Sequence, residues 1–168
     1  MTGLTDISSR FPGLSNGWAR FDGPAGTQVV ATAIDAAADW QRSGANANSH
    51  GAFPAAQACE DLVGRGSDTM GELLRVDPAG MVYGPSTTAN MMTLTRAVAQ
   101  SLKPGDEIIC TTLDHDANVA PWLLAARDAG AVVRMAEFDP SSGRLATEAV
   151  TGLIRSVTRW VAVTGCSN

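Results

Sequence analysis

Lysine is almost absent from this chain: Lys103 is the only one among 12 basic residues in 168. Chemistry that needs a lysine amine therefore has one candidate. Histidine is nearly as scarce, with His50 and His115 alone, and the three cysteines, Cys59, Cys110 and Cys166, are widely separated. An odd, dispersed set of cysteines does not read as a disulfide framework. Neither histidine pairs with a cysteine at metal-ligand spacing, so no metal site is expected. No run approaches the ~18–20 continuous apolar residues that a membrane helix needs. The opening MTGLTDISSRF has no basic region followed by an apolar stretch, so no signal peptide is expected and the cytoplasm is the default location. A net charge of -5 and a pI near 4.8 leave no basic stripe to neutralise phosphates, which argues against nucleic-acid binding.

Hydrophobic residues make up 45% and charged residues 17%, a globular composition long enough to bury one sizeable core. The first part reads as helical and loop-rich. Residues 29–42 place Val29, Ile34, Ala37 and Trp40 near one helical face, and a second helix is expected over 55–75 despite Gly64, Gly66 and Gly71. Between them SGANANSHGAF reads as a loop.

From residue 80 short β-branched runs alternate with helical patterns. Strands are expected near 81–83, 107–112, 132–137 and 160–164. Helices are expected near 88–102, 118–129 and 147–157. Pro121 suits the first turn of its helix, where a missing N–H costs nothing. Strand starts recur about every 25 residues, as in βαβ units with a parallel sheet, so the expected class is α/β with flanking helices. A boundary is expected near residue 79, with 1–79 as an N-terminal helical and loop segment and 80–168 as the start of an α/β domain.

Several segments can carry chemistry. YGPSTTANMM (83–92) is a Gly-Pro turn, a hydroxyl cluster and a helix start. Free N–H groups and the partial positive charge at a helix N-terminus hold phosphate, and Ser86, Thr87 and Thr88 add hydroxyls. An ordinary N-cap is the competing reading of the same residues. TTLDHDANVAPW (111–122) puts His115 just past a strand's carboxyl end, where open α/β sheets bind ligands. An imidazole there can stack on an aromatic ring and move protons near neutral pH; a plain surface-loop histidine competes. FDGPAGTQV (21–29) and ANANSHGAF (45–53) alone say only that these are loops.

Taken in order, FDGPAGTQV, ANANSHGAF, YGPSTTANMMTLTRA, KPGDEIICTTLDHDANVAPW and TRWVAVTGCSN resemble the N-terminal region of the class V aminotransferase and cysteine desulfurase family. The resemblance runs from about Arg10 to Asn168, and LDHDANVAPW and FDGPAGTQV are its most specific parts. It implies the large domain of a fold-type I pyridoxal-phosphate enzyme, an amino-acid substrate and, for the full-length family, a homodimer. It also implies that the first expected strand, 81–83, is poorly supported here, because its usual neighbours come later in the family's chain. Thr87 and Thr88 match the hydroxyl residues on the cofactor phosphate. His115 matches the histidine that stacks on the pyridine ring and assists proton transfer. Asn168 matches the asparagine on the cofactor's phenolic oxygen. His50 and the Asp22–Thr27 loop match segments near the substrate entrance. Asn118 and Trp122 are family-typical, and we read them as a helix cap and a core anchor. Two positions depart from the pattern: Ala89 stands where many relatives carry Glu, and Cys166 where a small residue is usual. Cys110, inside a strand, reads as a small buried hydrophobe.

Pyridoxal phosphate chemistry needs a Schiff-base lysine and an acid on the pyridine nitrogen, and in this family both follow the position of Asn168. Lys103, in SLKPGDE, falls at the end of its strand opposite the threonine and histidine loops, roughly 17 Å away for a five-residue strand. The expectation is therefore a truncated enzyme whose isolated chain is inactive. The alternatives are a non-catalytic remnant that binds a phosphorylated ligand or a protein partner and, less favoured for want of a GxGxxG fingerprint, a Rossmann-like nucleotide binder.

Overall fold

Five consecutive residues, Glu107–Thr111, form strand β1, and all five are buried. Such a run can be satisfied only as a central strand, with hydrogen-bonding partners on both edges and cover on both faces. In the computed structural model, which describes residues 7–23 and 26–166, it has both edges paired. Strand β2, Val132–Ala136, pairs with it in parallel on one side, and β3, Thr158–Val161, on the other, giving the order β2-β1-β3. The register shifts between Glu107 and Ile108 on the β3 side, so Ile108 faces Trp160 and Ile109 faces Val161.

The chain divides into two compact units, Met1–Met81 and Val82–Asn168. The first holds helix α1, Ala31–Arg42, and helix α2, Pro54–Leu74. Helix α1 has no buried residue, and Val29 and Ile34 of its expected apolar face are exposed. Helix α2 tolerates its three glycines, and one has a packing reason. Gly71 is buried, and a Cβ there would stand 2.8 Å from the Pro78 ring of the turn Pro78–Gly80. Arg75 then ends the helix in the left-handed region (φ 56°), and the Val76 N–H returns to the Gly71 carbonyl at 3.0 Å, closing the free carbonyls of the last turn.

The second unit is a three-stranded parallel sheet with helices, the α/β class expected from the sequence. Helix α3 spans Thr87–Ala99, α4 spans Ala120–Ala129 and α5 spans Thr147–Thr151. Alternation along β1 sends Ile108 and Cys110 to one face, where they pack with Val98, Leu102, Trp122, Ala126 and Ala162. Met91, Val133 and Met135 extend this core, and the rings of Trp122 and Trp160 meet with centroids 5.6 Å apart. Burial, with some help from the charge of Asp114, pushes the Cys110 thiol up to about 12, so this cysteine acts as a hydrophobe at neutral pH.

Three expected elements differ. The strand expected over 160–164 is Thr158–Val161, starting and ending earlier. Residues 81–83 are not a strand: they find no ladder partner among the described residues, and Val82 and Tyr83 are exposed. A β-branched run becomes a strand only beside a neighbour that takes its N–H and C=O groups. The expected helix over 147–157 stops at Thr151, because Gly152 introduces i→i−3 turns at Leu153 and Ile154, and the Arg155 N–H goes to the Thr158 hydroxyl.

The amino edge of the sheet is charged. Arg134 donates to Glu107 Oε1 through Nε at 2.8 Å and Nη2 at 2.7 Å, with Arg155 at 3.7 Å. Glu107 Oε2 is buried and without a hydrogen-bond partner among the described residues. Asp106 accepts from the Lys103 N–H at 2.8 Å and from Arg159 at 3.0 Å. The Arg134 hydrogen bonds hold the Glu107 carboxyl below its ordinary range, and the Lys103 N–H, aided by Arg159, does the same for Asp106. Lowered carboxylate pKa values stabilise the fold above the unfolded-chain values near ~4 and lose that contribution as pH falls through the folded ones. Urea unfolding followed from neutral pH to below ~4 should show this acid loss, and Glu107→Gln should flatten it; an unchanged pH slope in the variant would contradict the assignment.

Candidate cofactor site at the carboxyl edge of the sheet

Helix α3 leads through a short turn into β1, and Val98 and Leu102 at its far end pack on the same core as Ile108. The helix therefore runs back along the strand, and its N-terminus lies at the carboxyl end of β1. The loop after β1 starts at that same end. Thr87, Thr88 and His115 thus share one edge of the sheet.

At the helix end Ser86 is the N-cap, its backbone extended and its hydroxyl accepting from the Ala89 N–H at 3.1 Å. The Thr87 and Thr88 amides precede the first intrahelical bond and find no acceptor among the described residues. Both threonines are exposed. Just before them, a Cβ at Gly84 would meet the Asn90 side-chain amide, so a larger residue there would turn that side chain away. Two free amides, two exposed hydroxyls and a helix dipole make a set of donors that fits a phosphate.

Beyond β1 the chain is tied by side chains. The buried Thr111 hydroxyl donates to Asp114 Oδ2, and Asn118 Nδ2 donates to Asp114 Oδ1 at 2.7 Å. The Trp122 indole N–H in turn donates to Asn118 Oδ1 at 3.3 Å. Asn118 is therefore not the cap of α4, whose N-cap is Val119 with no side-chain bond. It bridges the loop to the core anchor Trp122, which is 3% exposed. His115 starts the turn Asp116–Asn118 and is exposed, its Nδ1 accepting from the Ala117 N–H at 3.0 Å. The same turn packs against α3.

The other expected residues fall elsewhere. His50 belongs to the first unit, in the left-handed region at φ 72°. Its N–H donates to Glu60 Oε1 at 2.7 Å, and its Nδ1 lies 3.2 Å from the same oxygen. Asp22 is an exposed residue of that unit, next to a loop whose Pro24 and Ala25 lie outside the described residues. Asn168 also lies outside them. Lys103 sits in the turn before β1, at the amino edge. Among the described residues no cluster of three or more His, Cys, Asp or Glu could hold a metal ion, and no helix is long and apolar enough to cross a membrane.

The class-V aminotransferase model matches residues 20–168. The chain belongs to the class-V aminotransferase family. Enzymes of this family depend on pyridoxal phosphate. An uncharacterised protein of Mycobacterium tuberculosis (strain CDC 1551 / Oshkosh) is 37% identical, over 93% of this chain and 39% of the relative. A probable cysteine desulfurase of Mycolicibacterium paratuberculosis (strain ATCC BAA-968 / K-10) is 32% identical, over 88% of this chain and 22% of the relative. Among solved structures, the apo cysteine desulfurase of Thermococcus onnurineus NA1 aligns with a TM-score of 0.84 at 21% identity, over 100% of this chain and 42% of its own. The cysteine desulfurase CsdA of Escherichia coli aligns at 0.78 and 22% identity, over 95% of this chain and 41% of its own. A C-DES mutant with glycine covalently linked to its PLP cofactor aligns at 0.70 and 22% identity, over 95% of this chain and 40% of its own. The chain thus spans less than half the length of each of these relatives.

Asp114 and Thr111 were not singled out from the sequence, although their spacing carries the signal. Residues 111, 114, 118 and 122 step by three and then four, which suits a turn running into a helix. Asn118→Ala should strand both Asp114 Oδ1 and the Trp122 N–H. The cost of unmade hydrogen bonds, about 1–3 kcal/mol, should appear as a lower urea midpoint with unchanged slope; no shift would show the bridge to be idle.

Proposed function

We propose that this chain is the N-terminal part of a pyridoxal-phosphate enzyme acting on an amino-acid substrate, in the manner of the cysteine desulfurases. By itself it binds the cofactor reversibly and does not turn over substrate. The observation that carries the reading is the arrangement of the carboxyl edge: a phosphate-competent helix end beside a loop that presents an exposed imidazole, with the single lysine at the opposite edge.

When bound, pyridoxal phosphate supplies an electron sink for chemistry at an amino acid's α-carbon. The residues of this chain hold and orient it. The Thr87 and Thr88 amides and hydroxyls take the phosphate oxygens. His115 would stack on the ring, and Asn168, by the family resemblance, would take the phenolic oxygen. The residues 1–79 form the helical segment of the family and 80–168 the first part of its cofactor domain; His50 and Asp22 belong to segments that the family resemblance assigns to the substrate entrance. Lys103 does not serve as the covalent attachment point: its turn is bound to Asp106 at the amino edge. The covalent chemistry, the substrate specificity and the family's homodimer belong to the longer protein, which is cytoplasmic.

Titration with pyridoxal phosphate, followed by amide NMR, tests this. The shifts should centre on Thr87, Thr88 and His115, and pyridoxal without its phosphate should bind at least tenfold more weakly. Thr88→Val removes one charge-assisted hydrogen bond, about 1.5–3 kcal/mol, and should weaken binding roughly ten- to a hundredfold. Borohydride should trap no adduct. A stable borohydride-trapped adduct on Lys103, or binding indifferent to Thr88, would refute the reading.

A further inference from the structure

We infer that Asp114 is a positioning residue that keeps the neutral ring of His115 in its Nε2–H tautomer, so that His115 donates a hydrogen bond to an oxygen of its ligand. The inference rests on the proposed function only for the identity of that ligand.

The tautomer is set at Nδ1. This nitrogen accepts the Ala117 N–H at 3.0 Å, and only an unprotonated nitrogen can accept. In the neutral ring the proton is then on Nε2. The remaining ring nitrogen is thus a donor, and it suits a carboxylate or phenolate oxygen. A proton could be taken up only at Nδ1, and only after the Ala117 bond is broken. His115 is therefore equipped to polarise or hold an anionic oxygen before it can act as a base.

The Ala117 bond depends on the loop keeping its shape, and Asp114 sets that shape. One carboxylate oxygen receives the Thr111 hydroxyl, at the end of β1, and the other receives the Asn118 amide, at the end of the turn. Both ends of the segment that contains His115 and Ala117 are fixed on one side chain. Asn118 is anchored in turn by the core residue Trp122, and Thr111 is fully buried. The carboxylate thus transmits the rigidity of the sheet and core to the imidazole without touching it.

The second histidine provides an internal contrast. His50 Nδ1 lies 3.2 Å from the Glu60 carboxylate, an acceptor, which favours a proton on Nδ1. The two rings of this chain should therefore be opposite tautomers.

Long-range proton–nitrogen correlation on [15N]histidine-labelled protein at about pH 8, above the ordinary histidine range near 6.5, reads both rings. His115 should show a bare Nδ1 and a protonated Nε2, and His50 the reverse. Asp114→Ala should lower the His115 Nε2–H to Nδ1–H ratio about fivefold, the equivalent of one neutral hydrogen bond, and leave His50 unchanged. Asp114→Asn, equal in size and keeping one acceptor, should give an intermediate ratio and guards against a loss of folding. Wild-type His115 protonated on Nδ1, or a wild-type ratio in both variants, would overturn the inference. Adding pyridoxal phosphate to uniformly 15N-labelled protein separates the two readings. Shifts at the Thr87 and Thr88 amides test the cofactor, whereas the tautomer is already set without it.

Discussion

Everything in the second unit hangs on β1, a strand with both edges hydrogen-bonded and no exposed residue. Its ends have opposite characters. The amino end carries carboxylates neutralised by arginines, and the carboxyl end opens into a loop whose side chains bind one another and leave an imidazole outward. The buried middle keeps the two apart. A parallel sheet with helices running back along it brings helix N-termini and strand carboxyl ends to the same edge, and that geometry brings residues as distant in sequence as Thr87 and His115 to one edge of the sheet.

The loop after β1 achieves order with few contacts. Its polar side chains form a chain from the strand, through Asp114 and Asn118, to a tryptophan in the core, so the backbone around His115 is held by groups that are themselves held. A site that must present a side chain to a ligand cannot bury that side chain, and its rigidity has to come from residues behind it. On the same edge Ser86 does similar work for helix α3: it satisfies the Ala89 amide and leaves those of Thr87 and Thr88 without an acceptor among the described residues.

Much of this was legible in the sequence, for physical reasons. Parallel βα units were readable because β-branched runs such as Glu107–Thr112 alternate with helical patterns, and the boundaries of α2, α3 and α4 agree within a few residues. The location of Thr87, Thr88 and His115 followed from their places after a Gly-Pro turn and after a strand. The run 81–83 has strand propensity, which says nothing about whether a neighbour exists; only the family resemblance implied that its neighbour is missing. The end of α5 was not legible, because Gly152 outweighed the apolar spacing of Val150, Leu153 and Ile154. The roles of Asn118 and Asp114 were hidden because a cap and a side-chain bridge use the same residue types, and only geometry separates them. The apolar positions read onto one face of α1 are mostly open: Val29, Ile34 and Ala37 are exposed and Trp40 is half-buried.

The central claim is that the α3 N-terminus and the β1 carboxyl loop act as one site. Amide hydrogen exchange with and without saturating pyridoxal phosphate tests it most directly. The account predicts that protection rises together at residues 87–91 and 113–118 and stays unchanged in the Lys103 turn. Protection at only one of the two segments, or centred on Lys103, would contradict it.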